Sequence, residues 1–574
     1  MNERMKTRQK LIKVARGKKR AELVLKNCRY VNVFTGMIDK GDIAISSGII
    51  IGVDDYLGDV EVDCKNRIVA PGLIDGHVHI ESSLMTPPGF ASAVIPKGTT
   101  TVIADPHEIG NVCGLDGIKY MLEASKICPL DVYVMLPSCV PSTDFENAGA
   151  VLLASDLRTL IDEEHVIGLG EMMNYPGVFF GNEDVHDKLM DFKDKPIDGH
   201  APGVTGKDLN SYILSGVVTD HECVNHKELE EKVAKGMYIH LREGSATKNV
   251  AELCRGITAN NSRRLMFCTD DKHPTDIVKE GHIDYNIRLA IRNGINPITA
   301  IQMATLNTAE CYGLKHKGAI APGYEADLIV LSDLESFAVK DVYKKGVLVS
   351  KDGKALFEQN KYEDDLVLDT IHLIKNQEIN LSLELKSEYC KVIGLLNESI
   401  ITKRVIRKVD VIRGCFSTNP KVDILKLAVI ERHKATGNIG LGLVEGYGLK
   451  GGAIGLTIAH DSHNIIVIGD KDEDMQLCVE ELQRLTGGIC IVFGGKVVGS
   501  LQLEVGGLMT DAPLNEVTSN LINLESIARG MGVPKGIDPF MTLAFLALPV
   551  IPELKVTDIG LFDTRAFKFV EVEE

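Results

Sequence analysis

The chain has 574 residues, 44% of them apolar and 25% charged. That describes a globular protein of two to four domains and excludes a chain too polar to build cores. Its formal charge of -17 argues against a nucleic-acid or anionic-membrane surface, since both call for clustered positive charge. No uncharged apolar run is long enough to span a bilayer, and the basic opening segment Met1 to Arg20 lacks the apolar centre of a signal peptide and reads as a helical or frayed arm. The thirteen cysteines show no Cys-x-x-Cys pair, so they read as buried thiols of a reducing compartment, the cytoplasm.

In chain order, residues 21–63 alternate in short runs such as Gly48-Ile-Ile-Ile-Gly-Val53, the pattern of small strands joined by tight turns. From Ile68 the texture changes to apolar runs that end in polar residues and are followed by helical stretches. Eight such runs occur: Ile68–Ile80, Thr99–Asp105, Asp131–Pro137, Val166–Met172, Pro196–His200, Gly216–His221, Met237–Leu241 and Arg264–Asp270. Helices are expected between them at Gly114–Ser125, Lys227–Lys235 and Thr247–Arg255, and a last helical stretch at Asn296 to Cys311. Eight strand–helix units over this length predict a (β/α)8 barrel, whose chemistry sits at the C-terminal strand ends. The segment Gly318 to Leu331 returns to short strands. The expected organisation is therefore a small β-sandwich domain built from residues 1–67 together with 315–366, a barrel over 68–314, and a third, α+β domain over 369–574.

Residues in a strand alternate faces, so His77 and His79 project on one side, about 7 Å apart along the chain. Alone, His-x-His is a modest signal. Other runs, however, end in Glu171, His200, His221 and Asp270. Four imidazoles and two carboxylates on the strand tips of one barrel mouth point to a metal site.

With these positions the sequence resembles the amidohydrolase superfamily, and within it adenine deaminases. The closer resemblance rests on His77-Val-His-Ile-Glu-Ser-Ser83, Ala104-Asp-Pro-His-Glu-Ile-Gly-Asn111, Gly170-Glu-Met-Met-Asn-Tyr-Pro-Gly177 and Thr269-Asp-Asp-Lys-His-Pro274. It extends to Arg432-His-Lys-Ala-Thr-Gly437 and Ala459-His-Asp-Ser-His-Asn464, and so covers nearly the whole chain. Many binuclear members carry a carbamylated lysine at the end of the fourth strand. Here that position is Glu171, whose carboxylate can bridge two cations unmodified, which weakens dihydroorotase, hydantoinase and urease-like readings.

The resemblance implies two divalent ions, manganese or iron with zinc as the alternative. His77, His79 and Asp270 would hold one, His200 and His221 the other, with Glu171 and a hydroxide bridging them. It implies hydrolysis of adenine to hypoxanthine and ammonia in purine salvage, by attack of that hydroxide on C6, with Asp270 carrying its proton. Glu81, Asp105, His107 and Glu108 lie near the same mouth, as candidate substrate contacts or, for Glu81 and His107, proton carriers. Glu81 reads equally well as a supporting carboxylate and Asp105 as a helix cap. Asp270 is preferred to Asp271 as the ligand, Glu222 and Glu243 are minor proton-carrier candidates, and His240 reads as a core residue. For His433, His460 and His463 a structural or mouth-closing role is expected, since His-x-x-His is common by chance. No Gly-x-Ser-x-Gly occurs, and His79-Ile-Glu81 lacks the Pro-Cys-x-x-Cys that zinc base deaminases need. The competing readings are another binuclear amidohydrolase acting on a cyclic amide or N-acyl substrate, and a non-catalytic barrel scaffold. The latter class usually loses ligands, whereas all six positions are filled. The partner is a small molecule, not nucleic acid or membrane, and family habit implies a homodimer.

Overall fold

The computed structural model describes residues 3–374, 379–419 and 421–574. Its centre is a ring of parallel strands: Leu73–Val78, Thr99–Ala104, Asp131–Leu136, Val166–Met172, Ile197–Gly199, Thr219–Asp220, Tyr238–Arg242 and Leu265–Cys268. The first five pair in sequence order, as do the last three. The fifth and sixth join where the Val218 amide donates to the Ile197 carbonyl (3.0 Å). The ring closes where the Asp270 amide donates to the His77 carbonyl (3.0 Å) and the His79 amide to the Asp270 carbonyl (3.1 Å). These strands are short and mostly buried, because helices cover the outer face of a parallel sheet and side chains fill its interior. Helices predicted between the strands occur as His107–Ser125, His226–Ala234 and Val250–Leu253, and the last helical stretch divides into Pro297–Met303 and Leu306–Cys311.

The run 68–80 is two strands rather than one. Ile68–Pro71 pairs with Leu328–Leu331 of the flanking sheet, and the barrel begins at Leu73. Pro71 offers no amide to a ladder, and a side chain at Gly72 would collide with Thr100 Oγ1 at 2.3 Å. The chain therefore changes sheets between them, a change an uninterrupted apolar run hides. Strands from 21–71 and 328–355 share one nine-stranded mixed sheet. Leu25, Ile43, Val69, Leu328 and Val330 pack in its core. The basic arm forms a helix, Glu3–Ala15.

The C-terminal region is an eight-stranded sheet running from Tyr389–Gly394 to Lys496–Gln502, with helices Asp472–Arg484 and Leu514–Gly530. It sits over the barrel mouth. Thr86 donates to Asp511 (2.7 Å), Ser462 to Glu146 (2.7 Å), and the Asn464 amide to the Asn147 carbonyl (2.8 Å). Among the described residues no helix is long and apolar enough to cross a membrane.

Candidate metal centre at the barrel mouth

All six predicted ligands converge at the C-terminal ends of the barrel strands. Glu171 lies in the middle. Its Oε1 is 3.3 Å from His79 Nε2 and 3.9 Å from His77 Nε2, while its Oε2 is 2.5 Å from His200 Nδ1 and 3.2 Å from His221 Nε2. Asp270 Oδ1 closes the first half at 3.4 Å from His77 and 3.2 Å from His79. Donor atoms about 3.0–3.6 Å apart are what cations with bonds of about 2.0–2.2 Å need. The His221 Nε2, the nitrogen that faces Glu171, is buried without a hydrogen-bond partner, a costly state that an ion relieves. The residues therefore suit the ligation of a metal, with Glu171 turned to both halves of the set.

The chain positions this set by repeating one local device. Ile-Asp-Gly-His occurs at the ends of both the first and fifth strands, at 74–77 and 197–200. In the first copy, Asp75 accepts from the Thr269 amide (3.1 Å) and hydroxyl (2.5 Å) and from the His77 amide (3.3 Å). It thereby ties the strand that carries His77 to the strand that carries Asp270. In the second, Asp198 accepts from Thr219 (2.8 Å) and Tyr312 (2.8 Å). The intervening glycines are sterically required. A side chain at Gly76 would meet His240 at 2.7 Å, and one at Gly199 the Thr219 carbonyl at 2.3 Å. On the sixth strand, Asp220 is paired with buried Lys232 (2.9 Å) and holds the Ala201 amide (2.9 Å) just beside His221.

Asp105 supports these candidate ligands from beneath. Its Oδ2 accepts the Glu171 amide (2.9 Å), its carbonyl is 2.9 Å from His79 Nδ1, and a side chain at Gly170 would strike its carboxylate at 2.1 Å. Fixing the far nitrogen of a ligating histidine sets its orientation and basicity. His107 Nδ1 lies 3.6 Å from Glu171 and 3.7 Å from Asp105. Glu81 accepts the Ile109 amide through Oε1 (3.2 Å) and keeps a buried, unpartnered Oε2. Glu108 turns away from this group, toward Ser82 (3.3 Å) and His460 (3.4 Å). Asp271 is held by the Ser82 hydroxyl (2.5 Å) and does not join the ligands. His240 is a core residue, 3.1 Å from the Tyr312 hydroxyl.

One residue escapes the strand-end reading. Arg242 ends the seventh strand, is buried, donates to Asp270 Oδ2 (2.7 Å) and pairs with Glu222. Both contacts leave from Nη1, and a guanidinium, charged at any working pH, is the cation suited to a buried site shared by two carboxylates. The available signal was a charged residue directly following the apolar run Met237–Leu241. Burial alone would raise the Asp270 carboxyl, but Arg242 and the imidazoles of His77 and His79 hold it well below the usual carboxylate range. Glu171 is likewise pulled down against burial, chiefly by His200. Burial dominates elsewhere and pushes Glu81 up.

Comparison with known proteins agrees with this architecture. Residues 68–349 match the amidohydrolase family model, and residues 399–568 match the adenine deaminase C-terminal domain. The adenine deaminase of Clostridium acetobutylicum is 53% identical over 97% of this chain and 99% of its own length. That of Nitratidesulfovibrio vulgaris strain DP4 is 50% identical over 98% of both chains, and that of Geobacillus kaustophilus 46% identical over 96% and 97%. A solved enamidase, described as a member of the amidohydrolase superfamily, aligns over 58% of this chain and 96% of its own with a TM-score of 0.45 and 20% identity. The chain belongs to the adenine deaminase family.

Proposed function

We propose that the barrel mouth hydrolyses adenine to hypoxanthine and ammonia, as a step of purine salvage in the cytoplasm. The observation that carries this reading is Glu171, which turns one carboxylate oxygen to each half of the histidine set where related barrels need a modified lysine. Its mixed imidazole and carboxylate donors, without thiolate, suit manganese or iron, with zinc as the alternative. Two such cations would lower the pKa of a bound water to about 7 and so supply a nucleophile at neutral pH.

The chain's own groups account for orientation and proton traffic. In the net reaction an oxygen–C6 bond forms and the C6–amine bond breaks. One proton of the water ends on ring nitrogen N1 and the other on the departing amine. Asp270, kept ionised by Arg242, accepts the water's proton and delivers it to the substrate. Glu81, buried and with one free oxygen, and His107 face the same space and are assigned to hold the purine and relay the second proton. Asp105 is assigned to positioning rather than substrate contact, because its Oδ2 is committed to the Glu171 amide. The C-terminal sheet covers the mouth and excludes bulk water, which strengthens each of these electrostatic contacts.

The test is a panel of adenine, adenosine, dihydroorotate and a hydantoin, offered to purified protein with manganese. Hypoxanthine formation is followed by absorbance. Turnover of adenine alone is the expected result. Hydrolysis of a cyclic amide with adenine untouched would instead favour the general amidohydrolase reading.

A further inference from the structure

A second convergence of buried ligand-type side chains lies above the mouth, where the C-terminal domain meets the barrel. Glu108, from the first turn of helix His107–Ser125, faces His460 and His463 of the segment Ala459-His-Asp-Ser-His-Asn464. One ligand atom from each of the three lies within 4.8 Å of the others. His460 Nδ1 is 3.4 Å from Glu108 Oε1. Glu108 is 3% exposed, His460 9% and His463 0%. Among the described residues, neither ring nitrogen of His463 has a hydrogen-bond partner. His221, a member of the proposed metal centre, shows the same combination of full burial and two unpartnered nitrogens.

The cluster is also held in place by other contacts, which leave its ligand atoms free. His460 stacks on Phe545 with ring centroids 4.5 Å apart, and its amide donates to the Ala544 carbonyl (3.2 Å). The His463 amide donates to the Ala459 carbonyl (2.7 Å), and neighbouring Ser462 and Asn464 are anchored on Glu146 and Asn147 of the barrel. His433, the third C-terminal histidine, is not part of it, since its Nε2 is taken by the Ser462 carbonyl (2.7 Å). Two imidazoles and one carboxylate around a common point, with no thiolate, form a donor set for a borderline divalent cation such as zinc.

We propose that Glu108, His460 and His463 bind a divalent cation, separate from the pair on Glu171, which fastens the C-terminal domain over the barrel mouth. The ion satisfies one His463 nitrogen that the chain leaves without a partner and adds a bridge between two domains that otherwise meet through hydrogen bonds and apolar packing. Glu108 is then a ligand of the closure rather than a substrate contact. Elemental analysis tests this on the full chain, saturated with zinc and freed of loose metal on a desalting column. H463N and E108Q should each carry one equivalent less than the wild type, while H463D, which restores an oxygen donor, keeps it. The difference between proteins is the reading, so it stands or falls independently of the two-ion centre and of the substrate. Equal zinc in wild type and both variants would overturn the proposal, and would mean that water or direct hydrogen bonds satisfy the cluster. Should the variants not fold, anomalous scattering from zinc-soaked wild-type crystals decides. A peak among these three residues supports the proposal, and peaks confined to the barrel overturn it.

Discussion

The barrel carries a buried charged cluster at each end, and the two are neutralised differently. At the N-terminal end, Asp131 opens the third strand and meets Lys317 and Lys344 from the flanking region, which also pair with Asp327 and Glu325. There the chain supplies lysines for its carboxylates. At the C-terminal end, Glu171, Asp270, Glu222 and Asp105 face imidazoles and the single guanidinium of Arg242. The lower cluster is complete in itself and reads as a fastening between sheet and barrel, whereas the upper one sets four carboxylates against one permanently charged side chain and suits added cations. Conserving fold at one end and placing chemistry at the other is what a barrel of this kind permits.

Three substitutions and one pH profile bear on that contrast. Asp270→Asn keeps the shape of the side chain but removes the proton acceptor and weakens the Arg242 contact. Adenine turnover should fall on the order of 10³-fold, with an unchanged melting temperature measured by circular dichroism. Asp131→Asn should do the reverse. Leaving Lys317 and Lys344 short of a buried partner costs about 3–5 kcal/mol of stability, read by urea unfolding, while kcat stays at the wild-type value. A drop in kcat alone would mean that the two ends are not independent.

Arg242→Gln should lower metal affinity or turnover about 10–100-fold, the usual cost of removing a group that orients a ligand. A metal titration monitored by activity checks this, and an effect confined to stability would return Arg242 to a packing role. The smallest effect concerns pH. Burial raises the Asp131 carboxyl, but Lys344 and Lys317 outweigh burial and hold it below its usual range. Its unfolded pKa is about 3.9, so the folded value is the lower one. This contribution is present above the unfolded pKa and is lost as pH falls toward and through the folded one. The melting temperature should therefore drop between pH 5 and pH 2 more steeply for the wild type than for Asp131→Asn, as differential scanning calorimetry can show.

The upper cluster was far more legible in the sequence than the lower. His77, His79, Glu171, His200, His221 and Asp270 each end an apolar run, and strand periodicity alone fixes where such residues go. Arg242 was missed because a strand-end arginine looks like any solvated cation until Asp270 and Glu222 are seen around it. Asp75 and Asp198 carried a signal in the twice-used Ile-Asp-Gly-His, but their work is to join different strands, which no local pattern reveals. The lower cluster joins residues 186 and 213 positions apart in sequence, so it emerges only from the fold. The same holds for the contact of Glu108 with His460. The sheet change at Pro71 and Gly72 went unread because both strands are equally apolar.

In the proposed reaction adenine is deaminated at cations held by Glu171 and its histidines. That reaction is tested most directly by giving adenine to chelator-stripped protein, restoring manganese, and repeating both steps with Glu171→Ala while hypoxanthine is followed by absorbance. The account predicts no product from the stripped protein, recovery with manganese, and no recovery in the variant. Hypoxanthine formed at the wild-type rate by the stripped protein, or by Glu171→Ala, would contradict it.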